Sequence, residues 1–336
     1  MSTDFDSLVN NITDIGYDWH KEVILRNSEN NAGHIVKRVS DLEYPEGTKR
    51  DSAVVISAGP SLHYNDTLSQ LAASDYRGTI IAIDGSYVKC LKAGIIPDYV
   101  VTLDPHPTRI VRWFGDPEFE HNMAGDDYFS RQDLDIDFRE NSLRQNRENI
   151  ELVNQYARKT KLIIASTAPA NLVRRAQAAG FDMYWWLPLV DNPHSEDSLT
   201  RRMYRLTKLP AINTGGNVGT AAWVFAQFWL KIKRIAVVGM DLGYRLDLPY
   251  HMTQGYPELV QMLGEENVTG DLFPEIENPD NGETCYTDPT YYWYRKNTLD
   301  LIANSGATLY NCTGGGILFG DGVVTMNLQQ FMVEHG

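Results

Sequence analysis

The sequence predicts an α/β protein: an open, mostly parallel, Rossmann-like sheet flanked by helices, with a helical N-terminal lead-in and loop insertions. Three observations carry that reading. Short apolar runs such as AVVIS (53–57), TIIAI (79–83) and IAVVG (235–239) show no polar alternation, as expected of strands covered on both faces. Helical stretches separate these runs. The strand ends run repeatedly into glycine or an acid.

Residues 1–50 read as the lead-in. Phe5, Leu8, Val9, Ile12 and Ile15 recur at helical spacing, and Trp19, Val23 and Leu25 extend that apolar face. Asn27–Gly33 reads as a polar break, Ile35–Leu42 as a second short helix and Tyr44–Gly47 as a turn. Residues 51–336 read as the main domain. Ala53–Ser57 is its first strand, followed by Gly59-Pro60-Ser61 and a helix around Asn65–Ala73. Thr79–Ile83 is the second strand, ending at Asp84-Gly85-Ser86, with a helix at Tyr87–Ala93 stopped by Gly94 and Pro97. Asp98–Leu103 is the third strand, ending at Asp104-Pro105-His106-Pro107.

Residues 107–149 are polar and charge-rich and read as an insertion of loop and short helices. The sheet resumes at Lys161–Ser166, then come a helix at Asn171–Ala179 and a strand at Met183–Leu187, whose Trp185 and Trp186 read as packing residues. Leu209–Ile212, the loop Asn213–Asn217, a buried helix over Val218–Leu230 and the strand Ile235–Gly239 make a complete strand–helix–strand unit ending at Asp241. Gln261–Asp288 holds eight acids and no lysine or arginine, so residues 264–288 read as an exposed acidic loop. A tyrosine-rich helix over Thr290–Asn304, a short strand at Ala307–Tyr310, a glycine-rich loop and a final helix over Val323–Val333 complete the chain.

Composition narrows the function. A formal net charge of −14 argues against broad binding to nucleic acid or an anionic membrane surface. No apolar run is long enough to span a bilayer. The acidic opening MSTDFDSLVNN lacks the regions of a signal peptide. Cys90, Cys285 and Cys312 have neither metal-ligand nor redox-pair spacing, so a cytoplasmic protein with reduced thiols is expected. Oligomeric state is left open.

In open α/β sheets, ligands bind outside the carboxyl ends of the strands. If the sheet is parallel, the loops at Gly59–Ser61, Asp84–Ser86, Asp104–Pro107 and Asp241 share that edge. Glycine admits a ligand close to the backbone, and free N–H groups at a strand-to-helix corner favour an anion. Gly59, Pro60, Ser61, Gly85, Thr214, Gly215, Gly216 and Asn217 are therefore candidates for binding an anion such as a phosphate, with Gly314 and Gly315 from the last glycine-rich loop.

The motifs VVISAGPSL (54–62), IAIDGS (81–86), GIIPDYVVTLDP (94–105), TGGNVGTAA (214–222) and VVGMDLGY (237–244) resemble those of a known family. It comprises the motility-associated, Maf-type flagellin glycosyltransferases and the 6-hydroxymethylpterin diphosphokinase MptE-like proteins. TDPTYYWYR (287–295) and NCTGGGILFG (311–320) are similar to the Maf branch in particular. The resemblance implies a fold like that of certain sialyltransferases. For the Maf branch it implies transfer of pseudaminic or legionaminic acid from a CMP-sugar to a hydroxyl acceptor on a protein or glycan. For the MptE branch it implies pyrophosphate transfer from ATP to a pterin alcohol, with Mg²⁺ on Asp84 and Asp104. A catalytically silent nucleotide-binding protein is the third reading; apart from that Mg²⁺, no cofactor is implied.

In the transferase reading, Asp84 or Asp104 holds a ribose or cytosine edge. Asp104, Asp241, His106 and His251 are the catalytic candidates, the last three as the general base. Tyr291, Tyr294 and Arg295 would meet the charge of the leaving group. The chain lacks the long flanking regions of many Maf proteins, and TLDPHP replaces an acid pair suited to Mg²⁺.

Overall fold

The computed structural model describes residues 5–43, 51–107, 112–123 and 136–336, with side chains throughout except at 11–20, 122–123 and 136–143. Its strands are β1 (Lys37–Arg38), β2 (Ser52–Ile56), β3 (Thr79–Ile83), β4 (Tyr99–Thr102), β5 (Lys161–Ala165), β6 (Asp182–Leu189), β7 (Ala211–Asn213), β8 (Arg234–Val238), β9 (Tyr244–Arg245), β10 (Glu275–Glu277), β11 (Thr284–Tyr286), β12 (Thr308–Asn311) and β13 (Val323–Thr325). The helices are α1 (Phe5–Asn31), α2 (Ser61–Tyr64), α3 (Thr67–Ala72), α4 (Asp84–Lys92), α5 (Phe119–Met123), α6 (Ile136–Tyr156), α7 (Ala170–Ala179), α8 (Leu199–Thr207), α9 (Val218–Val224), α10 (Tyr256–Leu263), α11 (Pro289–Ala303) and α12 (Leu328–His335).

Among the described residues, ten strands form the main sheet in the order β1-β6-β5-β4-β3-β2-β8-β12-β13, with β7 beside β6. Every pairing in it is parallel. The chain steps outward from β2 to β6, then returns to lay β8 and β12 on the other side of β2. Strand order therefore reverses between β2 and β8, and the loops leaving these two strands flank a crevice.

The apolar strands are covered on both faces, as predicted. Val54 and Ile56 belong to one core with Tyr87, Leu91, Phe114 and Trp185. Ala53 and Val55, pointing the other way, join Trp186, Trp223, Phe225 and Ile302 in the second. No helix of the described residues is long and apolar enough to cross a membrane.

Several expectations are corrected. The supposed break after Asn27 is helix: α1 continues to Asn31, and Asn27, Ser28 and Asn31 are buried. Their polar groups find partners, so burial is tolerated there. Asn31 Nδ2 donates to Ser166 O (2.8 Å) and Ala168 O (2.7 Å), and Asn27 Nδ2 to Thr167 O (2.9 Å) and Pro105 O (3.1 Å). Residues 35–42 give β1 and a 3₁₀ turn at Val39–Asp41, because Lys37 and Arg38 pair with β6. The turn at Tyr44–Gly47 lies outside the described residues, as does part of the 107–149 insertion. That insertion ends in the long α6, not in short helices alone. Buried Arg175 holds it through Phe114 O, Gly115 O, Ile150 O and Asn154 Oδ1.

The acidic segment is folded. β10, β11 and β9 form an antiparallel sheet. Val268, Leu272, Phe273 and Tyr286 make a small core with Leu259 of α10 and Leu8 of α1. Seven of the eight acids are exposed, Asp288 alone being buried, and a handful of large apolar residues forms the core. The final predicted helix is split between β13, which extends the sheet, and α12.

Candidate functional site at the strand-order reversal

The loops after β2 and β8 are in direct contact. Gly59 N–H donates to Gly239 O (2.8 Å) and Ser57 N–H to Val238 O (2.9 Å). A Cβ on Gly59 would stand 2.0 Å from Asp241 Oδ2, so only glycine lets the carboxylate lie there. Ser61 Oγ donates to that same oxygen at 2.8 Å. Burial pushes the Asp241 carboxyl up to about 6, and the Ser61 hydroxyl and N–H pull it back. Leu242, the next residue, is held at φ +50°, a conformation that costs a non-glycine residue about 1–2 kcal/mol. Asp241 O accepts Ile317 N–H (3.0 Å) and Met240 N–H donates to Thr313 Oγ1 (3.2 Å), so the glycine-rich loop after β12 braces this corner.

The next corners adjoin. A Cβ on Gly85 would touch the Ala58 methyl at 3.0 Å. Asp84 begins α4, bonds Gly85 N–H (2.7 Å) and takes the N–H of Leu103 from the third corner. Burial pushes its carboxyl up to about 7, and the Asp104 charge adds to that. Asp104 is half-buried and accepts His106 N–H at 2.8 Å.

The Thr214–Asn217 corner differs from expectation. Gly215 N–H is taken by Asn213 Oδ1 (3.1 Å), Gly216 N–H by Thr214 Oγ1 (3.1 Å) and Asn217 N–H by Thr214 O (3.2 Å). Asn217 Oδ1 caps α9 by accepting Thr220 N–H (2.9 Å). These donors are spent within the turn and do not form an open cradle. Gly216, at φ +89°, is there for packing: its Cβ would fall 2.0 Å from Trp293 Cζ3. At the first corner Pro60 has no N–H and Ser61 serves Asp241, so that corner is also closed to phosphate in this arrangement.

α11 brings the tyrosines to the rim. Its N-cap, Asp288, accepts Tyr291 N–H (2.8 Å) and the Tyr244 hydroxyl (2.8 Å). Burial pushes the Asp288 carboxyl up to about 6. Burial also raises the Tyr294 hydroxyl, to which Glu258 and Asp104 both contribute, and the Tyr291 hydroxyl, to which Asp288 and Asp241 contribute. The two hydroxyls thus feel the charges of Asp104 and Asp241, respectively. Arg295 is committed elsewhere: Nε donates to Ile317 O (2.6 Å) and Nη2 to Phe319 O (2.8 Å), which anchors the glycine-rich loop.

Gly314 lies beside Asn65 and Gly315 beside Glu283. Their N–H groups take no partner among the described residues. His251 is exposed on a 3₁₀ turn against Tyr250 and Tyr256, in the small antiparallel unit. No described contact joins it to the four corners.

Sequence reasoning missed Glu258, Tyr244 and the site environment of Asp288. The Asp-Pro pair marked Asp288 as a helix start. Nothing local marked Glu258, on α10, whose charge is felt by Asp288, Tyr291 and Tyr294. Also missed was Ser57, just after β2, whose buried hydroxyl has no hydrogen-bond partner among the described residues. Among the described residues, no group of three or more His, Cys, Asp or Glu could hold a metal.

The comparisons agree with this architecture. The family model described as 6-hydroxymethylpterin diphosphokinase MptE-like matches residues 22–118. A solved Maf glycosyltransferase from Magnetospirillum magneticum AMB-1 aligns with a TM-score of 0.56 at 15% identity, over 92% of this chain. This chain spans 38% of that protein's length. No curated protein matches significantly. The resemblance read from the motifs and the open parallel α/β fold are both borne out.

Proposed function

We propose that the chain is a glycosyltransferase that moves a nonulosonic acid, pseudaminic or legionaminic in type, from its CMP-activated form to a hydroxyl of a protein or glycan. The supporting observation is Asp241: a largely buried carboxylate at the strand-order reversal, held by Ser61 and raised to about 6. A carboxylate so placed is suited to act as a general base near neutral pH. It takes the proton of the acceptor hydroxyl as that oxygen bonds the anomeric carbon. The glycosyl–phosphate bond breaks, and its electron pair leaves on the CMP phosphate.

The N–H groups of Gly314 and Gly315, without a partner among the described residues, are the donors we assign to that phosphate, together with the Tyr291 and Tyr294 hydroxyls. Asp104 is assigned to the ribose or cytosine edge. The fold likeness to a Maf glycosyltransferase supports the reading by analogy.

A second reading, pyrophosphate transfer from ATP to a pterin alcohol, is favoured by the match over residues 22–118, which include Asp84 and Asp104. Its magnesium site fits poorly. Asp84 is buried, spends its oxygens on the Gly85 and Leu103 N–H groups, and retains its proton up to about 7; a magnesium ligand must be ionised and turned to the ion.

Thermal melts decide between them, because a ligand that binds only the folded state raises the melting temperature. CMP or CDP is expected to raise it and ATP–Mg²⁺ to leave it unchanged. The reverse result selects the second reading, and no shift with either nucleotide removes both.

A further inference from the structure

Ser61 lies in a stretch that, from sequence, looks like a phosphate loop, yet its two donors point at a carboxylate. Oγ–H reaches Asp241 Oδ2 at 2.8 Å and its N–H bonds the same side chain. The absent Cβ of Gly59 leaves the space in which that oxygen sits. The Asp241 backbone is fixed independently, through Ile317 N–H on its carbonyl and the Leu242 turn. Main chain and carboxylate are thus oriented by separate contacts, and holding a largely buried carboxylate there costs stability.

We propose that Ser61 is a positioning residue, which holds and tunes Asp241 as the base and does not bind the donor phosphate. This rests on the transferase reading above. Among the described residues, the Cys285 thiol on β11 and the Tyr291 hydroxyl on α11 feel the Asp241 charge. Burial raises both, the thiol to about 11, so both are neutral at pH 7; against burial, the hydrogen bonds from Ser61, with that from Asp241's own N–H, lower the carboxyl. Hydrogen bonds to the ionised form favour it, so removing the hydroxyl makes Asp241 harder to ionise.

The test compares Ser61→Ala and Ser61→Thr with the unaltered protein. Two readouts are used: carboxyl-carbon NMR titration of Asp241, assigned by its loss in Asp241→Asn, and the pH profile of kcat with a CMP-sugar. In Ser61→Ala the Asp241 titration and the acidic limb of kcat are expected to move up together by about one unit. At pH 6 kcat falls several-fold, KM for the donor is unchanged, and Ser61→Thr restores both. A rise in donor KM with both titrations unmoved would make Ser61 a phosphate ligand and overturn the proposal. An unmoved Asp241 titration in a folded Ser61→Ala protein overturns it as well. Absence of turnover in the unaltered protein counts against the transferase reading alone, since the NMR titration still reports the Ser61–Asp241 link.

Discussion

Gly59 and Asp241 interlock: the space where a side chain would begin on one is filled by a carboxylate oxygen of the other, 2.0 Å from the position of that Cβ. Gly59 cannot gain a side chain without displacing that carboxylate. Gly59→Ala should therefore push the Asp241 carboxylate off Ser61. Loss of stability of about 1–3 kcal/mol is expected, together with at least a hundred-fold fall in turnover, typical of a displaced acid–base group. Urea unfolding and turnover assays measure the two effects. Full activity in Gly59→Ala would show that the position of Asp241 is immaterial.

Asp84 gives stability an unusual pH dependence. Its carboxyl moves from an ordinary 3.8 to about 7 on folding, chiefly through burial. Between these values the folded chain keeps a proton that the unfolded chain has lost. The contribution is complete below 3.8 and disappears as pH rises through about 7. Asp84→Asn removes this linkage, so the stability of the variant relative to the unaltered protein should improve from pH 4 to pH 8, by on the order of 2–4 kcal/mol. Urea midpoints at the two pH values test this, and parallel behaviour of the two proteins would refute it.

Gly216 and Trp293 make a second close approach. Gly216→Ala places a methyl 2.0 Å from Trp293 Cζ3 and strains a residue at φ +89°. A loss of about 2–4 kcal/mol is expected. Adding Trp293→Ala should recover part of that loss by removing the clash, leaving the backbone strain. A double-mutant cycle that shows simple additivity would mean the two residues are not in contact.

Asn31 secures α1 to the loop after β5. Asn31→Ala leaves Ser166 O and Ala168 O without their donor and should cost about 1–3 kcal/mol. Cleavage of α1 by added protease should rise before global unfolding begins. An unchanged cleavage pattern would mean that the helix is held by its apolar face alone.

How much of this was readable in advance differs from residue to residue. The strand ends at Ser57, Ile83, Leu103 and Gly239 were legible because unbroken apolar runs ending in glycine or acid have few other uses. Their gathering at one edge follows from parallel pairing. The Thr214–Asn217 turn misled because a glycine pair looks the same whether its N–H groups are open or satisfied by neighbouring Asn and Thr side chains. Asn27, Ser28 and Asn31 looked like a surface break, since polar residues reveal burial only when their partners are known, and those partners lie at Pro105, Ser166, Thr167 and Ala168. In the acidic segment, charge hid a small core whose members follow no helical or strand period.

α1 has a mechanical consequence. Its C-terminal turns are bonded to the loops after β4 and β5. Near its start, Phe5 meets Tyr292 of α11 and Leu8 enters the antiparallel unit that follows β8. One unbroken rod of about 40 Å thus ties together the two banks of the crevice. A push on either bank is transmitted along the rod to the opposite one, so severing it midway should let the banks drift apart while each stump remains docked.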